Sequence, residues 1–247
     1  VGRAPLVTLA DVVLPGLPGG TPRLRAVLAV PRGEGPWPGV VMVHEAFGVD
    51  DVMRRQVERM AAAGYLVVMP DLFTAGRMRC LVSTVAALST GRGRAWQDIE
   101  AARRWLVARD DCTGFVGVLG FCLGGGFALL AAARGFDVSS VNHGSLPRDL
   151  DPVVREACPV VASYGARDRS RGSATRLRDA LVRHGVVHDV HEYPDAGHGF
   201  LNDAEVGPRP LRPLLRWVAG AGPEPDSAAD AWRRIEAFFA EHLSARA

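Results

Sequence analysis

Cys122 sits in the run Gly120-Phe121-Cys122-Leu123-Gly124-Gly125-Gly126, after an apolar stretch at Phe115–Leu119 and before another at Phe127–Ala133. A thiol on a tight strand-to-helix turn is a nucleophile elbow with sulfur in place of the more usual serine hydroxyl. Side chains flanking the nucleophile would collide with neighbouring backbone in such a turn, which accounts for Gly120 and Gly124. The N-terminus of the following helix favours the thiolate, the form that attacks a carbonyl carbon. Taken alone, Gly-x-Cys-x-Gly fits a small buried cysteine in a glycine-rich turn equally well.

A thiol nucleophile needs a base to collect its proton and a further group to orient that base. Downstream, Asp168 stands in Ser163-Tyr164-Gly165-Ala166-Arg167-Asp168, just past a strand-like stretch. His198 stands in Asp195-Ala196-Gly197-His198-Gly199-Phe200, past the next one. Loops at the carboxyl ends of parallel strands gather on one edge of the sheet, where ligands bind. Asp195 competes for the role of acid, but it reads as a turn residue, and the strand-end position favours Asp168. The fourth piece is His44-Glu45-Ala46-Phe47-Gly48 at the end of an early strand. Its Ala46 amide, with that of Leu123, is positioned to hold the charge that develops on a substrate carbonyl oxygen. Glu45 has a plainer alternative, an ion pair with one of the many arginines.

To bring these residues together the chain needs alternating strands and helices, which predict a mostly parallel sheet with helices on both faces. Leu6–Leu14 and Leu24–Val30 read as an opening antiparallel hairpin around Pro15–Gly20. Strands follow at Gly39–His44, Tyr65–Met69, Phe115–Leu119, Val138–Val141, Val160–Tyr164 and Val187–Tyr193. Helices are predicted over Asp51–Ala63, Trp96–Ala108, Phe127–Ala133, Ala174–His184 and Ala228–Leu243. Phe73–Gly93 reads as irregular, and Leu201–Ser227 as a Pro- and Gly-rich stretch with room for one short helix. No repeat or linker divides residues 1–247, so a single domain is expected.

Composition narrows the function classes. Of 247 residues, 48% are hydrophobic and 23% charged, ordinary for a globular chain with a sizeable core. A net charge of +2 gives no electrostatic case for nucleic acid or an anionic membrane. All 29 basic residues are arginine, so no mechanism can use a lysine. The four cysteines show no zinc spacing, so no metal is expected, and they read as reduced thiols of a cytoplasmic protein. No apolar run reaches the roughly 18 residues of a membrane span, and Val1–Gly20 lacks the pattern of a signal peptide.

The chain order nucleophile, acid, histidine is that of an α/β-hydrolase. From about Leu24 to Leu243 the sequence resembles the dienelactone hydrolase family, the cysteine branch of that fold. The matching pieces are the Glu45 segment, the Cys122 elbow, the Asp168 and His198 loops, and Ala231-Trp232-Arg233-Arg234-Ile235-Glu236-Ala237-Phe238-Phe239. The resemblance implies a Cys122–His198–Asp168 triad, a thioester acyl-enzyme and no cofactor. It also implies that Glu45 lies beside the resting thiol and keeps it protonated. Such a carboxylate raises a thiol pKa and limits oxidation. The best-known members hold a substrate carboxylate with arginines, one of them four residues after the catalytic histidine. Here that position is Asn202. Arg77, Arg79, Arg92 and Arg94, in the segment expected to overhang the pocket, are candidate replacements or plain surface charges. His143 either lines the pocket or is a satisfied loop histidine. His184, His188 and His191 straddle a helix-to-strand boundary that does not suit a metal site.

The expected activity is hydrolysis of a small ester or lactone by a monomer or small homo-oligomer. Two rivals remain: an acyltransferase or thioesterase using the same intermediate, and a non-catalytic ligand-binding or redox-sensing protein.

Overall fold

The computed structural model describes residues 7–170, 172–207, 212 and 222–243, with residues 77–79 described by their backbone alone. The strands are β1 (Val7–Pro15), β2 (Arg23–Pro31), β3 (Trp37–Val43), β4 (Leu66–Pro70), β5 (Cys112–Phe121), β6 (Ser139–Asn142), β7 (Val160–Gly165) and β8 (His188–Tyr193). They form one eight-stranded sheet in the order β1-β2-β4-β3-β5-β6-β7-β8. The β1–β2 hairpin and the β2–β4 pair are antiparallel, and every pairing from β4 through β3 to β8 is parallel.

Successive side chains of a strand face opposite sides, so the near-continuous apolar runs of β3 and β5 fill both faces. Val41, Val43 and Val118 point into one core, and Val40, Met42 and Leu119 into the other. Helices α1 (Asp51–Ala62) and α7 (Pro225–His242) cover the second face with Val57, Met60, Trp232, Ile235 and Phe239. On the first face lie α2 (Arg77–Thr90), α3 (Arg94–Val107), α4 (Leu123–Ala131), the short α5 (Asp151–Val154) and α6 (Ser173–Arg183). Asp50 caps α1 by accepting from the Met53 N–H at 2.9 Å, and Asp51 adds a negative charge to its first turn.

The expected sheet with helices on both faces is present. The irregular segment expected at Phe73–Gly93 is instead mostly helix α2. Among its described side chains Cys80, Thr84 and Ala87 are buried, at i, i+4 and i+7, and they mark its inner face. Ser, Thr and Val residues with weak helix propensity mask this period, and glycines stand at both caps in place of capping side chains. The short helix α5 was not anticipated either. Most of Leu201–Ser227 beyond Gly207 lies outside the described residues. Among the described residues no helix is long and apolar enough to cross a membrane.

Candidate active site

Each residue singled out for chemistry stands just past the carboxyl end of a parallel strand: Glu45 after β3, Cys122 after β5, His143 after β6, Asp168 after β7 and His198 after β8. Cys122 is the N-cap of α4 and has φ 53° and ψ −113°, a strained conformation for a residue with a Cβ. The turn closes because its neighbours have no side chains. A Cβ on Gly120 would lie 2.0 Å from the Gly124 carbonyl oxygen, and one on Gly124 would lie 2.1 Å from that of Val43. The Cys122 N–H donates to the Asn142 carbonyl at 3.0 Å, tying the elbow to β6.

His198 Nδ1 lies 2.7 Å from Asp168 Oδ2. An acceptor-only carboxylate there places the proton on Nδ1 and leaves Nε2 for the thiol. Burial by itself pulls the His198 pKa down. Hydrogen bonds with Asp168 and the Cys122 side chain outweigh it, and the imidazole is pushed up to about 10. Burial pushes the Asp168 carboxyl up, but the His198 hydrogen bond and charge hold it below its ordinary value. Asp168 also accepts from the Ser170 N–H at 3.3 Å. Its competitor Asp195 is exposed and pairs with Arg167 at 2.6 Å, whereas the contact given for His198 Nδ1 is with Asp168.

Glu45 is buried, and it has no arginine partner among its described contacts. Its Oε1 accepts from Asn202 Nδ2 at 3.0 Å and lies 3.5 Å from His143 Nε2. Burial pushes this carboxyl up, yet His143, Asn202 and the charge of His198 bring it below the usual glutamate value. Asn202 is itself buried, with Gln56 Nε2 of α1 3.5 Å from its Oδ1. The closer contact of that Gln56 NH2 is to the Leu201 carbonyl, to which it donates at 3.0 Å. The Glu45 backbone is held by His44, whose Nε2 accepts from the Leu72 N–H at 3.1 Å. Since that N–H can only donate, Nδ1 carries the proton, and it donates to the Glu45 carbonyl at 2.7 Å. Neither Gln56 nor His44 carried a sequence signal, because both contacts are made by residues distant in the chain.

These groups open onto a cleft lined by Glu45, Ala46, Phe47, Cys122, His198 and Asn202, together with Val206 and Arg212. It encloses about 570 Å³ of empty space, part of it open to solvent. Ala46 lines the cleft beside Cys122, and Leu123 opens α4, whose first-turn N–H groups lack intrahelical partners. His143 is buried behind this lining, and its ring nitrogens are unsatisfied, so it matches neither of the two roles expected for it.

The expected arginines fare differently. Arg94 is a structural residue: it donates to Asp98, to Thr21 and to the Leu72 carbonyl. Arg77 and Arg79 open α2, and their side chains lie outside the described residues. Arg212, which the sequence did not single out, is the arginine among the described residues of the cleft wall, and its Nε donates to the Gly207 carbonyl at 3.1 Å. His184 contacts Asp151, while His188 and His191 lie on β8.

A family model described as the dienelactone hydrolase family matches residues 24–243. The chain belongs to the dienelactone hydrolase family. The carboxymethylenebutenolidase of Pseudomonas putida is 30% identical over 192 residues, spanning 70% of this chain and 78% of its own. A dienelactone hydrolase-like promiscuous phosphotriesterase from metagenomic libraries superposes with a TM-score of 0.77 at 23% identity, over 97% of this chain and all of its own. Brefeldin A esterase, a bacterial homologue of human hormone-sensitive lipase, superposes at 0.67 with 19% identity, over 97% of this chain and 78% of its own. At those identities the two structures speak to the fold, which is that of the α/β-hydrolases. The dienelactone hydrolase family cleaves carboxylic ester bonds, and this member is a hydrolase of that kind.

Proposed function

We propose that this dienelactone hydrolase family member cleaves a small ester or lactone through a Cys122–His198–Asp168 triad and a thioester acyl-enzyme. Cys122 Sγ attacks the carbonyl carbon while His198 Nε2 holds the thiol's proton. The carbonyl electron pair moves onto oxygen, where the Ala46 and Leu123 N–H groups receive it. Collapse of the tetrahedral species breaks the C–O bond, and His198 gives its proton to the leaving oxygen. Water then loses a proton to His198 and attacks the thioester, releasing the acid and returning the thiol. Asp168 orients His198 and stabilises its imidazolium throughout. Each proton and electron pair is carried by the chain's own groups and water.

The observation that carries this reading is the line Asp168–His198–Cys122, with a 2.7 Å first contact and an imidazole pushed up to about 10 by both partners. The single sheet that brings all of these strand ends to one edge supports treating the chain as one catalytic unit. Arg212 on the cleft wall suits the anionic end of a substrate, with the buried Asn202 serving Glu45 instead.

Hydrolysis of short p-nitrophenyl esters and a dienelactone by the wild type and Cys122→Ala tests the proposal. Wild-type turnover that disappears in the variant is expected, together with rapid formation of a Cys122 acyl adduct detectable by mass spectrometry. Turnover that survives in Cys122→Ala would overturn the triad.

A further inference from the structure

The Ala46 N–H belongs to a peptide unit whose other end is pinned. The Glu45 carbonyl and the Ala46 N–H are the two poles of one trans amide, so they point in opposite directions. Two donors converge on that carbonyl. His44 Nδ1–H reaches it at 2.7 Å, and the Gly48 N–H, closing the turn from Glu45, reaches it at 3.0 Å. The Ala46 N–H is thereby turned away from both donors, on a residue that lines the cleft, and it meets no acceptor among the described residues.

His44 is fully buried, and its ring is held on several sides. Nε2 accepts from the Leu72 N–H at 3.1 Å, and the Leu72 carbonyl in turn accepts from Arg94 of α3 at 2.7 Å. Phe73 meets the imidazole edge-on with ring centroids 4.8 Å apart. The same Phe73 ring covers Gly48, where an added Cβ would lie 3.1 Å from Cδ2, so one side chain backs both donors. Burial pushes the His44 pKa down, against its bond to the Glu45 carbonyl and the charges of Asp71, Glu45 and Asp50. The ring is therefore neutral at pH 7, with its one proton on Nδ1.

We propose that His44 is a positioning residue for the oxyanion site: its Nδ1–H holds the Glu45–Ala46 peptide with the N–H facing the reacting carbonyl, an inference that rests on the oxyanion reading above. An amide turned over would present the Glu45 carbonyl oxygen to the charge developing on the substrate, and a stabilising dipole would become a repulsive one. Two hydrogen bonds accepted at the oxygen also polarise the amide and strengthen its N–H as a donor. The Gly48 bond uses one lone pair of that oxygen and leaves the other to His44.

The test separates chemistry that makes an oxyanion from chemistry that does not. Acylation of Cys122 by a p-nitrophenyl ester, followed as p-nitrophenolate release with enzyme in excess, puts negative charge on the carbonyl oxygen. Alkylation of Cys122 by iodoacetamide displaces iodide from a saturated carbon and puts none there. His44→Phe keeps the bulk of the ring and removes the donor. It is expected to acylate at least about tenfold more slowly, toward the roughly hundredfold loss of a whole oxyanion donor. The Kd of the ester should stay within about threefold and alkylation within about twofold, because neither involves the oxyanion. His44→Asn places an NH2 near the position of Nδ1 and is expected to bring acylation back to within about fivefold of wild type. A smaller slowing in His44→Phe overturns the proposal. So does an equal slowing of alkylation, which would mark a general disturbance of the site, and so does a His44→Asn as slow as His44→Phe. Should His44→Phe not fold, the wild type decides through a trifluoromethyl ketone, whose carbonyl Cys122 converts to a hemithioketal with the charge on oxygen. The Ala46 amide proton and the His44 Nδ1 proton should then both move downfield in the NMR spectrum, and a His44 proton that stays put overturns the coupling. If alkylation of wild-type Cys122 leaves turnover intact, the triad itself falls. Inactivating alkylation with an unslowed His44→Phe removes only the role of His44.

Discussion

Asp168→Asn isolates the electrostatic part of the site with almost no change in volume. In the wild type the carboxylate and imidazolium meet at 2.7 Å with the Asp168 side chain 4% exposed and His198 30% exposed. With charge centres about 4 Å apart and an effective dielectric constant near 20, their attraction is about 4 kcal/mol. Solvent on the exposed edge of His198 screens part of this, leaving about 2–3 kcal/mol, or roughly 30- to 160-fold in kcat. Asparagine can also present its NH2 to Nδ1, which places the ring proton on Nε2 and blocks uptake of the thiol's proton. The assay is kcat and kcat/KM for a p-nitrophenyl ester from pH 5 to 11. The wild type should lose activity as pH passes about 10, where His198 gives up its proton, and that limb should fall to lower pH in the variant. Stability offers an independent readout. The raised His198 pKa stabilises fully below its ordinary 6.5 and fades as pH rises through about 10. The lowered Asp168 pKa stabilises above its ordinary 3.8 and is lost as pH falls through the folded value. The Tm difference between wild type and variant should therefore be largest between about pH 4 and 6.5. Asp195→Asn is the control, since that residue sits in an exposed ion pair and should change kcat by less than about twofold. Asp168→Asn within threefold of wild type, or an equal loss in Asp195→Asn, would refute the assignment of the acid.

Gly124→Ala drives a Cβ to 2.1 Å from the Val43 carbonyl oxygen and 2.8 Å from that of His44. Overpacking against backbone should cost at least about 3 kcal/mol and lower Tm by about 6–12 °C. A calorimetric Tm equal to wild type would show that the elbow is looser than described. Arg212→Ala should raise KM about tenfold for an ester bearing a carboxylate and leave a neutral ester of the same size within about twofold. Equal effects on both substrates would assign Arg212 to holding the loop at Gly207 rather than to binding the anionic end.

The Cys122 elbow, the order of Asp168 and His198, and the alternation of strands and helices were all readable along the chain, because each is set by local rules. A tight turn needs glycines on both sides, a buried parallel strand needs an unbroken apolar run, and loops after parallel strands reach one edge. Helix α2 escaped because its inner face is written in Cys80, Thr84 and Ala87, residue types that carry little hydrophobic signal. Asp168 and Asp195 were separable by position alone, but only packing showed that one is buried against His198 and the other solvated beside Arg167. The surroundings of Glu45 could not be read in one dimension. Its partners Asn202 and His143, and the Gln56 and His44 that orient this corner, come from α1 and from the ends of β3, β6 and β8. Hydrogen-bond partners, buried charges and the wall opposite a nucleophile depend on distances between segments far apart in sequence, and the packing of the sheet fixes those.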